Sequence, residues 1–254
     1  MWRRRFGRSH GRAAATVQPG RAATRPTALV YRGPAGCDGC SEPVAALLRE
    51  SRWGFDVSYV GPRERLRVSP ETLTSAVLYA QPGGDGDVED AYRRLRGSAR
   101  TIRDYVNAGG RYVGICMGGY LAGSSPGFDL LPNDTDQFIT SPNANVTDEA
   151  DTVIEVMWRE RPRYMYFQDG PVFPLGAGAR DVIVLARYTS NGTVAALVAP
   201  FGRGRVAVCG PHPEATEEWY RAADVANPDG VHTDLGHDLI DTLMGPPGGD
   251  RRPP

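Results

Sequence analysis

The sequence predicts an α/β fold with a central, mainly parallel sheet covered by helices. Three observations lead there. Apolar runs of strand length alternate with amphipathic helical stretches through the first half of the chain. Glycine and proline punctuate the runs. Three turn-forming segments, "QPGGDG", "GICMGG" and "GPHPEA", each follow a predicted strand directly. In open α/β sheets ligands bind beyond the carboxyl ends of strands, so the same segments mark a candidate site.

The elements follow in order. "TALVYRG" reads as a buried strand ending at glycine. "SEPVAALLRES" reads as a helix, with Ser41 as its N-cap and Pro43 in its first turn. "FDVSYVG" is a second strand, and "TSAVLYAQPGGDGD" a third running into a glycine-rich loop. "VEDAYRRLRGSARTIRDYVNAGG" has helical periodicity and stops at Gly109 and Gly110. "RYVGI" is the fourth strand, and "MGGYLAG" opens the next helix. Residues 126–176 are irregular, rich in Pro, Asn and Asp, and read as loops with inserted strands. "DVIVLARY", "GTVAALVAP" and "GRVAVCG" are three strands in series, as in hairpins. "EATEEWYRAADVA" and "TDLGHDLIDTLMG" are final helices.

One domain is expected over 27–245, after a basic, disordered leader at 1–26 and before a disordered tail at 246–254. The chain has 254 residues, 41% hydrophobic and 23% charged, enough for a substantial core without staples. Residues 1–26 hold seven arginines and no acid; removing those charges from a net −1 leaves about −8. That balance gives no electrostatic footprint for nucleic acid. No apolar run reaches membrane-span length, and the paired arginines before Phe6 lack the apolar stretch of an export signal, so a cytoplasmic location is expected. All 29 basic residues are arginine, which excludes lysine Schiff-base and P-loop lysine chemistry.

"GICMGG" puts Cys116 between glycines at a strand-to-helix turn, the spacing of a nucleophile elbow with cysteine in place of serine. A helix starting at Met117 would aim its positive end at the sulfur and favour thiolate. Of the four histidines, His212 follows a strand end, and Glu214 lies two residues on, placed to orient the imidazole. The Met117 amide and the backbone of Gly83 or Gly84 supply candidate oxyanion-hole donors.

Together these segments resemble the signature segments of class I glutamine amidotransferase-like domains, which carry a Cys-His-Glu triad on a flavodoxin-like three-layer sandwich. The likeness is closer to one branch, the biotin-protein ligase N-terminal domain family, from about Tyr31 to Glu214. "YRGPAGCDGC", "YVNAGGRYVGICMGGYLAG", "YFQDGPVF" and the run from "VAALVAPFGRGRVAVCG" to "PHPEA" carry it. The resemblance implies Cys116 as nucleophile, His212 as base and Glu214 as orienter. It implies a small-molecule amide substrate, an ammonia-accepting synthase as partner, and no cofactor or metal. No ligase domain follows, so biotinylation is not expected.

Two departures bear on substrate. Tyr120 stands where glutaminases of the wider family carry glutamine, so free glutamine is expected to be a poor substrate. Tyr120 and Asp85 are expected in the substrate pocket, and so are Cys37 and Cys40, which replace small hydroxyl residues of the branch. One Cys-x-x-Cys pair supplies too few ligands for zinc. The pair reads either as free pocket thiols or as thiols that pair under oxidation, with each other or with Cys116. A catalytically silent binding or regulatory module, and a redox-sensitive thiol protein, are the alternative functions.

Overall fold

The computed structural model describes residues 24–177 and 179–245. The expected tail and all but the last three residues of the expected leader lie outside the described residues. The strands are β1 (Thr27–Tyr31), β2 (Asp56–Val60), β3 (Leu78–Gln81), β4 (Arg111–Ile115), β5 (Asp136–Gln137), β6 (Thr152–Trp158), β7 (Arg161–Phe167), β8 (Pro171–Val172), β9 (Ile183–Tyr188), β10 (Val194–Phe201) and β11 (Gly204–Cys209). The helices are α1 (Ser41–Glu50), α2 (Pro70–Thr74), α3 (Val88–Asn107), α4 (Met117–Tyr120), α5 (Glu217–Ala222) and α6 (Asp234–Met244).

Nine strands form one mixed sheet in the order β2-β1-β3-β4-β11-β10-β9-β6-β7. The pairings from β2 to β11 are parallel, and those from β11 to β7 antiparallel. β1, β3, β4 and β11 read as apolar runs because helices cover both of their faces. Leu47, Leu48 and Val44 of α1 pack with Leu239, Ile240 and Leu243 of α6 on one face. Leu95 and Ile102 of α3 pack with Leu73 of α2 on the other. The irregular region supplies the β6–β7 hairpin at the sheet edge and, separately, the β5–β8 pair. Among the described residues no helix is long and apolar enough to cross a membrane.

Two local expectations are corrected. Ser41 does not cap α1: it is already inside the helix, and its hydroxyl donates to Tyr31 O at 2.9 Å, tying α1 to the end of β1. The helix expected from Met117 is a single turn ending at Tyr120. A single turn sums few peptide dipoles, so its field at Cys116 is far weaker than a full helix would give. By contrast α3 starts as its sequence asks, with Asp87 Oδ1 accepting from Asp90 N at 2.7 Å.

Candidate active site

Cys116 lies between β4 and α4 at φ 50°, ψ −110°. A side chain rarely adopts positive φ, and the surroundings must over-determine it. They do so through the backbone. Cys116 N donates to Cys209 O of β11 at 2.9 Å, and Gly119 N and Tyr120 N donate to Cys116 O at 2.7 and 3.0 Å. The flanking glycines are required by close approach. A Cβ on Gly114 would sit 2.1 Å from Gly118 O, and one on Gly118 would sit 2.0 Å from Gln81 O.

His212 follows β11, and its backbone N donates to Tyr166 O of β7 at 2.9 Å, which fixes the loop across the site. The imidazole is 5% exposed and Glu214 2%. His212 Nδ1 meets Glu214 Oε1 at 2.9 Å, and His212 and Cys116 line the same cleft. With Nδ1 engaged by the carboxylate, Nε2 is the nitrogen left for sulfur. Burial pulls the imidazolium down, but Glu214 and then Cys116 outweigh it and push His212 up to about 10. Trp219 and Tyr166 frame the ring at 5.3 and 6.0 Å between centroids.

The Pro-Gly-Gly loop after β3 packs on both partners. A Cβ on Gly83 would lie 2.9 Å from His212 Cε1, and one on Gly84 would lie 2.9 Å from Met117 Cγ. The Gly84 and Met117 amides donate to no protein acceptor among the described residues, and both residues line the larger of the two clefts that meet at Cys116. Gly83 O accepts from Cys37 N at 3.2 Å, which ties this loop to the one carrying Cys37 and Cys40. Those two cysteines are joined to each other in a disulfide, which is the second of the two readings of the pair and not the first, and Cys116 remains free.

Two clefts meet at Cys116. The larger, of about 540 Å³, is walled by Gly84, Asp85, Met117 and Tyr120 and, across from them, by Gln168 and Asp169. The smaller, of about 290 Å³, opens on the His212 side, against Tyr166, Trp219 and the Cys37–Cys40 loop. The structure thus brings the candidate site residues named from the sequence together around these two clefts. Tyr120 lines the larger cleft, and its hydroxyl is buried without a hydrogen-bond partner among the described residues. Burial, then the charges of Asp169 and Cys116, push its phenol up.

Sequence reasoning missed Gln168, Asp169, Tyr166 and Trp219 as site residues. When protonated, the Cys116 thiol has Gln168 O as acceptor 3.6 Å away. "YFQDGPVF" was singled out as a motif, and its position directly after a strand was the available signal. Nothing in the sequence placed Trp219 beside His212.

A sheet with a cysteine elbow after β4 and a histidine loop after the neighbouring β11 has the class I glutamine amidotransferase-like fold. A glutamine amidotransferase from Thermotoga maritima superimposes with a TM-score of 0.54 at 16% identity, over 87% of this chain and 89% of that one. One from Methylobacillus flagellatus gives 0.52 at 14%, over 79% and 74%. A cytoplasmic protein of Salmonella typhimurium LT2 gives 0.52 at 13%, over 85% and 99%. Within that fold, residues 27–137 match the model of the family described as biotin-protein ligase, N terminal. The match takes in the Pro-Gly-Gly loop and Cys116 and ends before His212. The biotin–protein ligase of Schizosaccharomyces pombe is 28% identical over 142 residues, 47% of this chain. The matched stretch is 22% of that protein's length.

Proposed function

We propose that the protein is a cysteine-dependent amide hydrolase or amidotransferase that works through a thioester. One observation carries the reading: Cys116 is held at positive φ and shares a cleft with a buried His212 that is bonded to Glu214. The Cys116 thiolate attacks the amide carbon, and the carbonyl electron pair moves onto oxygen. The Gly84 and Met117 amides stabilise that oxyanion. Collapse breaks the C–N bond while protonated His212 gives its proton to the leaving nitrogen. Neutral His212 then takes a proton from water, or from an acceptor amine, as it attacks the thioester. Acid or transferred amide leaves and the thiolate returns. Glu214 holds the imidazole in one orientation throughout and stabilises its charged form.

Amine or ammonia release from a panel of amides tests this, with thioester trapping by mass spectrometry. Cys116→Ala should cut turnover by at least about 10³-fold, the scale of losing a nucleophile. His212→Ala should lower both turnover and the rate of Cys116 alkylation at neutral pH. If the wild-type thiol alkylates at the rate of free cysteine and no amide is turned over, the reading is wrong. The protein is then a binding module on the same fold.

A further inference from the structure

The larger and smaller clefts are not equivalent with respect to the reaction. The Gly84 and Met117 amides fix where the oxyanion sits. His212 fixes where the departing nitrogen sits, because the imidazolium must reach it to deliver the proton. The smaller cleft lies on the His212 side and is lined by His212 and Cys116 themselves. Whatever is bonded to the leaving nitrogen must project into it. A primary carboxamide would put only two hydrogens there and leave about 290 Å³ unused.

The walls of that cleft have a definite chemistry. Trp219 and Tyr166 present aromatic surface, their rings tilted at 64° with centroids 5.5 Å apart. Tyr166 is buried and fixed from behind: Tyr220 Oη accepts from its backbone N at 2.8 Å. Asp38 and Asp151 line the same space, and among the described residues no arginine lines either cleft of this arginine-rich chain. Carboxylates at the rim and aromatic faces within suit an organic cation, through charge attraction and cation–π contact together.

We propose that the substrate is an N-substituted amide whose leaving amine carries a short chain with a second, positively charged amine, rather than a primary carboxamide that releases ammonia. The inference rests on the cysteine-hydrolase reading above. The balance is that of hydrolysis: the amide and one water give a carboxylic acid and a diamine. The nitrogen gains one proton from His212, and the acyl carbon gains the water oxygen.

The test uses three amides of one acyl group: the primary carboxamide, the N-butyl amide and the N-(4-aminobutyl) amide. The aminobutyl amide should have a kcat/KM at least tenfold above the primary carboxamide, with the butyl amide between them. In Asp38→Asn/Asp151→Asn the advantage of aminobutyl over butyl should fall severalfold, and added salt should erode it in the wild type. Equal or better turnover of the primary carboxamide overturns the proposal and leaves the hydrolase reading standing. So does an aminobutyl preference untouched by the double variant. If no amide is turned over, the hydrolase reading has failed, and calorimetry on Cys116→Ala with 1,4-diaminobutane against ammonium decides the cleft's chemistry separately. Saturable diamine binding, weakened in the double variant, supports the cationic site; diamine and ammonium binding alike overturn it.

Discussion

The two halves of the sheet do different work. From β2 to β11 the strands are parallel, and β1, β3, β4 and β11 are covered on both faces, with β3 buried at every position. From β10 to β7 they are antiparallel, and the outer hairpin alternates: Ile154, Val156 and Trp158 of β6 face the core while Met157 is 37% exposed. Cys116, His212 and the Pro-Gly-Gly loop all leave the parallel half at carboxyl ends of strands. The antiparallel half adds no candidate reacting group. It supplies Tyr166, which anchors the His212 loop, and the Gln168–Asp169 wall opposite Tyr120. Parallel strands converge several loops on one edge, which makes a constellation; a hairpin placed against that edge shapes the space the constellation faces.

The comparison breaks most sharply at Gly118. Its Cβ position lies 2.0 Å from Gln81 O, between backbone segments of the parallel half that have no room to part. Gly118→Ala gains about 1 kcal/mol of helix propensity. Overlap with a fixed carbonyl costs more, roughly 3 kcal/mol net, and moves Cys116 off its elbow. A melting temperature lower by roughly 6–12 °C and loss of turnover are expected. Met157→Ala, on the exposed face of β6, should change stability by less than about 0.5 kcal/mol and leave turnover intact. Comparable losses from the two substitutions would mean that the halves are not energetically distinct.

Legibility in the sequence follows the same divide. β1, β3 and β4 were readable because burial on both faces leaves unbroken apolar runs with glycine at their ends. The elbow was readable because glycine is demanded on each side of Cys116 by backbone contacts that any larger residue would violate. The helix α4 ends at Tyr120, and the carbonyls of Leu121, Ala122 and Gly123, which a longer helix would use, accept instead from Phe128, Leu130 and Asp129; the glycines in this stretch were the available signal that it would be short. The β6–β7 hairpin was not placed because its turn, Arg159 and Glu160 at φ 43° and 65°, lacks the glycine or asparagine that signals such turns. The pocket walls depend on that hairpin, so they were lost with it. Nor does spacing alone say whether Cys37 and Cys40 are joined.

A smaller effect, and one that sharpens the seam between the halves, comes from Glu214→Gln. His212 sits in a loop of the parallel half but is pinned by β7, and its imidazole is pushed up to about 10 by Glu214 and Cys116. In the unfolded chain the same group titrates near about 6.5. The folded state therefore holds this proton more tightly. The stabilisation is complete below about 6.5 and is lost as pH rises through about 10. Melting temperatures from pH 6 to pH 10.5 should fall more steeply for the wild type than for Glu214→Gln, which removes the largest raising influence. Parallel curves would mean that Glu214 does not hold the charge on His212.

The smallest expected effect lies at Tyr120, where the two halves face each other across the larger cleft. Its hydroxyl and Asp169 Oδ1 are both buried without a hydrogen-bond partner among the described residues, and Asp169 is the strongest charge acting on the phenol. An unpaired buried hydroxyl costs about 1–3 kcal/mol in the empty protein. Tyr120→Phe keeps the ring and removes that cost, so the free variant should be more stable by up to about 1 kcal/mol, a rise of roughly 2–4 °C in melting temperature. If substrate supplies the missing partner, the same change raises KM severalfold and leaves kcat nearly unaltered, because the hydroxyl then binds without touching the reacting atoms. A rise in stability with no change in KM would place Tyr120 among the packing residues of the parallel half. A fall in stability would mean that the hydroxyl is already paired in the free protein, and that the cleft between the halves is narrower and more tightly bonded than its walls imply.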